Sequence, residues 1–364
     1  MFCSIIIPVY NPNIQRFSYL LECLNRQTCK DFKVYFVNDC SSESGFREEI
    51  LNTLKDDVVY EILDLEENIG QGLARQKAID LSDDDWVTFV DQDDGFVDEA
   101  IERAKRIIEE SGCEFLLSTQ SIVANDRNWT STNEYVIENC VSVLHGKFYK
   151  REQLLKYNIH FTDKVRAHED TFFQNLMYSY FMLAPELNSE KVNVLCDDIT
   201  YIWYLWSDST SHSRVFDNVH LGNISYLESS MREYVIATLE SYKEVKNKYP
   251  VNDDYLYSKF SSFLYFTYWF EQSFEYFNPL LWKKDNLVYI REAVRFIMNE
   301  FGLSSYRELT DILIDIPGVY YFTFNEVFTN VDGYFVPRLT VEQYYQTLDD
   351  RIKEFKLSDV QFKL

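Results

Sequence analysis

The sequence predicts an α/β fold over residues 1–220, a mostly parallel sheet with helices on both faces, followed by a mainly α-helical, aromatic-rich region over 221–364. Two observations carry that expectation. Short β-branched runs alternate with segments of helical spacing through the first hundred residues, and interleaving of this kind builds parallel sheets covered on both sides. Composition then changes near 220. Residues 1–220 hold 20 basic and 38 acidic side chains, the remainder 15 and 21, and 12 of the 23 residues from Tyr255 to Phe277 are aromatic. Nothing Pro- or Gly-rich marks a linker there, so the two parts are expected to pack together, with part of the aromatic surface covering the first domain or a second subunit.

The elements follow in order. Ser4–Tyr10 is a strand-like run closing on Pro8 and the turn residues Asn11-Pro12; Ile14–Leu24 has helical spacing; Lys33–Val37 is a second run before Asn38-Asp39-Cys40-Ser41-Ser42. A helix over Arg47–Leu54, a strand at Tyr60–Leu63, a helix over Gln71–Leu81 and a strand at Trp86–Val90 come next. Later segments read as helices at Asp98–Ile108, Glu152–Tyr157 and Thr171–Met182, then a strand at Thr200–Trp206. Beyond 220 the expected helices are Leu227–Lys248, Tyr255–Phe277, Leu287–Phe301 and Val341–Lys356. Ligands of such sheets bind past the carboxyl ends of the strands, which singles out Asn11–Asn13, Asp39–Gly45 and Asp91–Gly95.

Charge narrows the partners. With 35 Lys+Arg against 59 Asp+Glu the net charge is −24, which disfavours unassisted binding to nucleic acid or anionic lipid. One basic concentration stands out, Lys147, Lys150, Arg151, Lys156, Lys164 and Arg166, which reads either as a solvated helix face or as a border that attracts an anionic acceptor. The seven Cys form no CxxC pair, the start has no basic n-region or long apolar stretch, and no run reaches the roughly 20 apolar residues of a membrane span. A soluble, cytoplasmic protein with reduced thiols is expected.

Two segments carry chemistry. Asp91-Gln92-Asp93-Asp94-Gly95 places three carboxylates within four residues just after a buried strand, where repulsion is costly unless a cation or hydrogen-bond donors offset it. Hard oxygen ligands on one loop suit Mg²⁺ or Mn²⁺ holding a diphosphate; an acidic helix N-cap is the alternative. The run Asp83-Asp84-Asp85 lies at the opposite end of that strand and reads as a solvated turn. In Asn68-Ile69-Gly70-Gln71-Gly72-Leu73-Ala74-Arg75, two glycines open a helix whose amide end can face an anion.

Ser4-Ile5-Ile6-Ile7-Pro8-Val9-Tyr10-Asn11, Val37-Asn38-Asp39-Cys40-Ser41, Asn68-Ile69-Gly70 with Ala74-Arg75, Asp91-Gln92-Asp93-Asp94, and Ala167-His168-Glu169-Asp170-Thr171 resemble, in order and spacing, the motifs of the family 2 glycosyltransferases. The resemblance covers residues 3 to 215 and implies the GT-A fold, which is Rossmann-like, a UDP-sugar donor, a DXD-type loop with Mn²⁺ or Mg²⁺, and inverting transfer. It implies that Pro8 and Tyr10 line a uracil-side pocket, that Asp39 accepts the base N–H, and that Asn68, Arg75 and Asp91 contact the nucleotide-sugar. Asp93 would lie beside ribose and metal, and Asp94 would ligate the metal with His212 as a further ligand. Asp170 would be the catalytic base and Glu169 its partner, orienting sugar hydroxyls. Asn38 and Cys40 depart from the more frequent Asp and Gly. Arg214 is a candidate for the diphosphate, and His145, His160 and His220 are read as structural.

The expected acceptor is a hydroxyl of a polysaccharide or other cell-surface glycan, with a hydroxylated DNA base, a protein hydroxyl, or a non-catalytic binding scaffold as alternatives. A homo-oligomer through the C-terminal region is compatible with the aromatic surplus.

Overall fold

The computed structural model describes residues 1–42, 45–125, 135–137, 143–205, 224–251, 328–331 and 334–337. Three of the four C-terminal helical segments, from Tyr255, Leu287 and Val341, lie outside the described residues, as do His212, Arg214 and His220. The chain divides into two compact units, Met1–Tyr226 with Ile236–Pro250, and Leu227–Val235 with Val251–Leu364.

The first unit is an α/β sheet. Strand β1 (Cys3–Val9) leads to helix α1 (Ile14–Arg26), β2 (Phe32–Asn38), α2 (Gly45–Thr53), β3 (Val59–Asp64), α3 (Gln71–Leu81), β4 (Trp86–Phe89) and the short β5 (Gly95–Phe96). Then come α4 (Ala100–Ser111), β6 (Leu116–Asn125), β7 (Tyr135–Ile137), β8 (Lys147–Lys150), α5 (Arg151–Tyr157), α6 (Glu169–Leu183) and β9 (Asn193–Leu205), and helix α7 (Ile224–Lys246) contributes its residues to both units. Among the described residues of the second unit is one antiparallel hairpin, β10 (Phe328–Val331) with β11 (Tyr334–Pro337). No described helix is long and apolar enough to cross a membrane.

The sheet runs β3-β2-β1-β4-β8-β6-β9-β5, with β7 paired to β6. Its first four strands are parallel, as expected. Beyond β4 the sheet is mixed: β8 is antiparallel to both β4 and β6, β6 and β9 are parallel, and β5 is antiparallel to β9. The parallel pairings β1–β2, β1–β4, β2–β3 and β6–β9 carry most of the sheet, with antiparallel β8 between the two groups. The change follows from connectivity, because β8 enters beside β4 from a long excursion through α4 and β6 rather than through a right-handed βαβ crossover.

Both faces of the parallel half are buried. Ile5 and Ile7 of β1 pack with Phe17, Leu20 and Leu21 of α1, Phe46 and Ile50 of α2, and Ile101 and Ala104 of α4. Ile6 points to the other face, with Ala74 and Ala78 of α3, Leu154 of α5 and Phe172 and Leu176 of α6. Two-sided burial explains why β1 reads as an unbroken apolar run, and each of its isoleucines contributes about 1.5–3 kcal/mol. Pro8 is tolerated in this central strand because pairing with β4 stops at Ile6↔Phe89. At the opposite end, Asp84 is not solvated as expected. It is buried and accepts from the Ser4 hydroxyl at 2.6 Å and the Met1 ammonium at 2.6 Å, because it lies beside the start of β1.

The loops at the carboxyl ends of β1 and β2 lock together. Asn13 caps α1 by accepting from Gln15 and Arg16 amides, and Asn11 accepts from the Ser42 amide and hydroxyl at 2.9 and 3.0 Å. Asn11 and Cys40 both lie in the left-handed region, at φ 41° and 61°. That backbone explains the frequent Gly at the position of Cys40 in the family motif. Cys40 is exposed, so Cys40→Gly is expected to stabilise the first unit by about 1 kcal/mol, read as a higher urea midpoint at unchanged slope.

Candidate active site

The parallel strands deliver their carboxyl ends to one rim, where the acidic loop, the start of α3 and the start of α6 converge. Residues 91–94 form a turn closed by the Asp94 amide on the Asp91 carbonyl at 3.1 Å. This turn brings the first and fourth residues together. Asp94 is buried. It accepts from the Tyr201 hydroxyl at 2.6 Å and the Tyr204 amide at 2.9 Å, both on β9. Burial, together with the charges of Asp91 and Asp93, raises its pKa well above the ordinary carboxylate range.

Ligand atoms of Asp91, Asp94 and His145 lie within 4.8 Å of one another. Two carboxylates and an imidazole form a donor set suited to a divalent cation, and the mutual repulsion that raises the Asp94 pKa is what a cation there would relieve. The residues present thus fit the metal that the fold family implies. Their identity differs from the sequence expectation. Among the described residues the turn brings Asp91, rather than Asp93, beside Asp94, and the imidazole next to them is that of His145, for which the sequence predicts a structural role; His212 lies outside the described residues. His145 has no surrounding motif. The glycine that follows it is the sole local hint, and Gly146 adopts φ 63° with Thr119 so close that a Cβ would meet its Oγ1 at 2.9 Å. Burial holds the His145 pKa down at about 4, so the ring is neutral.

A second constellation centres on Arg75, which is 3% exposed. It donates to Asp91 Oδ1 at 2.5 Å and to Glu169 Oε1 at 2.9 Å, and Gln71 Nε2 also donates to Glu169 Oε1 at 2.5 Å. Through these two charge-assisted pairs Arg75 ties the acidic loop to the first turn of α6. Glu169 is correspondingly buried as the anchor of Arg75. Gly72 permits this approach of α3 to α6: a Cβ there would lie 2.8 Å from Glu169 Cβ. Next to it, Asp170 is half-buried and accepts from the Thr171 amide at 2.7 Å. Burial raises its pKa, against the opposing pull of the Thr171 amide and Arg75.

Asp39 has a local partner the sequence did not reveal. Its two carboxylate oxygens accept from the Ile69 and Gly70 amides at 2.7 and 2.9 Å. The anion faced by the start of α3 is therefore the chain's own Asp39. Asn68 donates to the Asp39 carbonyl at 3.3 Å and its own carbonyl accepts from Arg166 at 2.6 Å. Pro8 is buried in β1, whereas Tyr10 is 48% exposed and exchanges two hydrogen bonds with the Gln92 side chain at 2.9 and 3.1 Å. Asp93 is partly exposed.

The basic segment is divided, with Lys156, Lys164 and Arg166 exposed and the others at least partly buried. Lys147 is buried, Arg151 donates to the Ile79 and Asp80 carbonyls at the end of α3, and Lys164 pairs with Glu240 of α7.

An α/β sheet with a carboxylate turn past β4 and an acidic pair opening α6 has the architecture of the nucleotide-sugar transferases of GT-A fold. The family model described as Glycosyl transferase family 2 matches residues 4–167, and the chain carries a family 2 glycosyltransferase domain. Poly(ribitol-phosphate) beta-N-acetylglucosaminyltransferase TarS of Staphylococcus aureus is 26% identical over 213 residues, which cover 54% of this chain and 35% of TarS. The chain thus spans about a third of the length of that relative. A glycosyltransferase of Haemophilus influenzae is 25% identical over 258 residues, 65% of this chain and 78% of that one. Among solved structures, residues 1–349 of S. aureus TarS in complex with UDP superpose with a TM-score of 0.53 at 19% identity, covering 94% of this chain and 98% of that chain.

Proposed function

We propose that the protein is an inverting, metal-dependent glycosyltransferase that moves a sugar from a UDP-sugar to a hydroxyl of a cell-surface polymer or glycan. The observation that carries this reading is the placement of a divalent-cation donor set and a carboxylate of raised pKa on one rim, joined by Arg75. The TarS relative supports the donor and acceptor classes, since its name specifies a polymer acceptor and its structure was determined with UDP.

Asp94 and Asp91 would hold Mn²⁺ or Mg²⁺. When bound there, the cation neutralises the diphosphate that leaves. Asp170 accepts the acceptor hydroxyl proton as that oxygen attacks the anomeric carbon from the face opposite the leaving group. The carbon–oxygen bond to the β-phosphate breaks, its electron pair stays on UDP, and the anomeric centre inverts. Glu169 and Gln71 fix Arg75, and Arg75 fixes Asp91, so the donor and acceptor sides keep one geometry. Asp39 sets the Asn68–Gly70 turn and offers its remaining lone pairs to the uracil N–H; Pro8, Tyr10, Asn68 and Asp93 border the nucleotide. The transferase domain is the unit Met1–Tyr226 with Ile236–Pro250, and Leu227–Val235 with Val251–Leu364 forms a second unit.

A thermal-shift panel of UDP-, GDP-, CDP- and dTDP-sugars with and without Mn²⁺ tests the donor class. A UDP-sugar with Mn²⁺ is expected to stabilise by about 2.7 kcal/mol at a hundred times its Kd, with the other nucleotides weaker. Equal shifts for all four would overturn the uridine assignment.

A further inference from the structure

His145 makes no hydrogen bond through either nitrogen among the described residues. Its Nδ1 is buried without a partner, and its Nε2 stands 4.0 Å from Asp94 Oδ2, too far for a hydrogen bond. An imidazole nitrogen buried without a partner is unfavourable, and remains so unless the ring has a further partner. The separation suits one. Ligands about 2.0–2.6 Å from a common cation stand about 3–5 Å apart, which spans both the 4.0 Å separation and the 4.8 Å limit of the three-residue group.

One buried side chain touches all three residues. Tyr201 donates its hydroxyl to Asp94 Oδ2 at 2.6 Å, accepts the Asp91 amide at 3.4 Å, and stacks on the His145 ring with centroids 4.6 Å apart and planes 7° from parallel. Trp203, two residues along β9, packs on the same imidazole at 5.3 Å. The ring is therefore held in a fixed plane beside the two carboxylates, while Gly146 lets its loop approach Thr119 closely.

We propose that His145 is the nitrogen ligand of the cation site and sets its preference for Mn²⁺ over Mg²⁺, with Tyr201 as the positioning residue. The inference rests on the metal-dependent reading above and adds a selectivity to it. Mg²⁺ takes oxygen ligands in near-ideal octahedral geometry and dehydrates reluctantly, whereas an imidazole donor favours the first-row transition ion. Removing this nitrogen leaves, among the described residues, the oxygen donors Asp91 and Asp94 and should narrow the difference between the two cations.

The test measures cation binding by the full chain, with no turnover required. Mn²⁺ affinity is read from the electron paramagnetic resonance of free Mn²⁺, and Mg²⁺ affinity from its competition, in the wild type, His145→Ala, His145→Gln, Tyr201→Phe and Asp94→Asn. Loss of His145 is expected to weaken Mn²⁺ about 10–100-fold and Mg²⁺ far less. Tyr201→Phe, which keeps the stacking ring and loses the hydroxyl, should weaken both cations together. His145→Gln retains bulk and polarity and covers the case in which the alanine variant does not fold. Mn²⁺ binding that depends on Asp94 but not on His145, or an equal loss of both cations in the His145 variants, overturns the inference and leaves metal dependence standing. Failure of the wild type to bind either cation, or binding indifferent to Asp94, overturns the metal-dependent reading itself.

Discussion

Arg75→Met is expected to destabilise the first unit by about 3–5 kcal/mol, the usual cost of removing one partner from a buried charge pair. The residue is 3% exposed and holds two carboxylates at 2.5 and 2.9 Å, of which Glu169 is as buried as Arg75 itself. Methionine fills much of the volume but leaves Asp91 and Glu169 with uncompensated charge, so the loss is electrostatic rather than a cavity effect. Arg75→Lys separates charge from geometry. One ammonium cannot reproduce two guanidinium bonds to carboxylates on different elements, so the lysine variant should fold with an intermediate loss and reduced transfer. Urea midpoints of the two variants check this, and a methionine variant within about 1 kcal/mol of the wild type would show that the bridge is not holding α3, α6 and the acidic turn together.

Asp170→Asn is expected to abolish transfer, leave UDP binding intact, and raise the melting temperature at neutral pH. General-base removal typically lowers rate by about 10²–10⁴. The stability change has the opposite sign for a defined reason. Burial raises the folded-state pKa of Asp170 above its unfolded value, so as pH rises past the ordinary carboxylate range the unfolded chain ionises first and stability falls until the raised value is passed. Above the raised value the full penalty is present, and asparagine removes it while keeping an oxygen for the Thr171 amide. Transfer should correspondingly be lost on acidification at a higher pH than an unperturbed aspartate would give. A variant that loses activity and stability together would assign Asp170 to structure.

Much of this arrangement was legible in the sequence because it depends on local pattern. The alternation of apolar runs and helical spacing located β1 to β4 and their loops, and three carboxylates after a buried strand marked the Asp91–Asp94 turn before its geometry was known. What remained hidden depends on tertiary approach. His145 and Tyr201 come from the loop before β8 and from β9, and a single imidazole or a strand tyrosine reads as core when its neighbours are known only along the chain. Charge counting failed in the same way for Arg151, whose partners are the Ile79 and Asp80 carbonyls of α3. Glu169 and Asp170 are recognisable as a pair, with Asp170 expected as the base and Glu169 expected to orient sugar hydroxyls, but the partners of Glu169 are not. Only the approach of α3 at Gly72 shows that Glu169 is committed to Arg75 and Gln71.

The central claim is that a cation held by the acidic turn links this chain to a uridine diphosphate. Calorimetric titration of UDP into the full chain, with and without Mn²⁺, in the wild type and in Asp94→Asn, addresses it most directly. The account predicts that Mn²⁺ strengthens UDP binding by at least about tenfold, or ~1.4 kcal/mol, in the wild type and has little effect in Asp94→Asn. Equal UDP affinity with and without Mn²⁺, or a metal effect that survives the loss of Asp94, would contradict it.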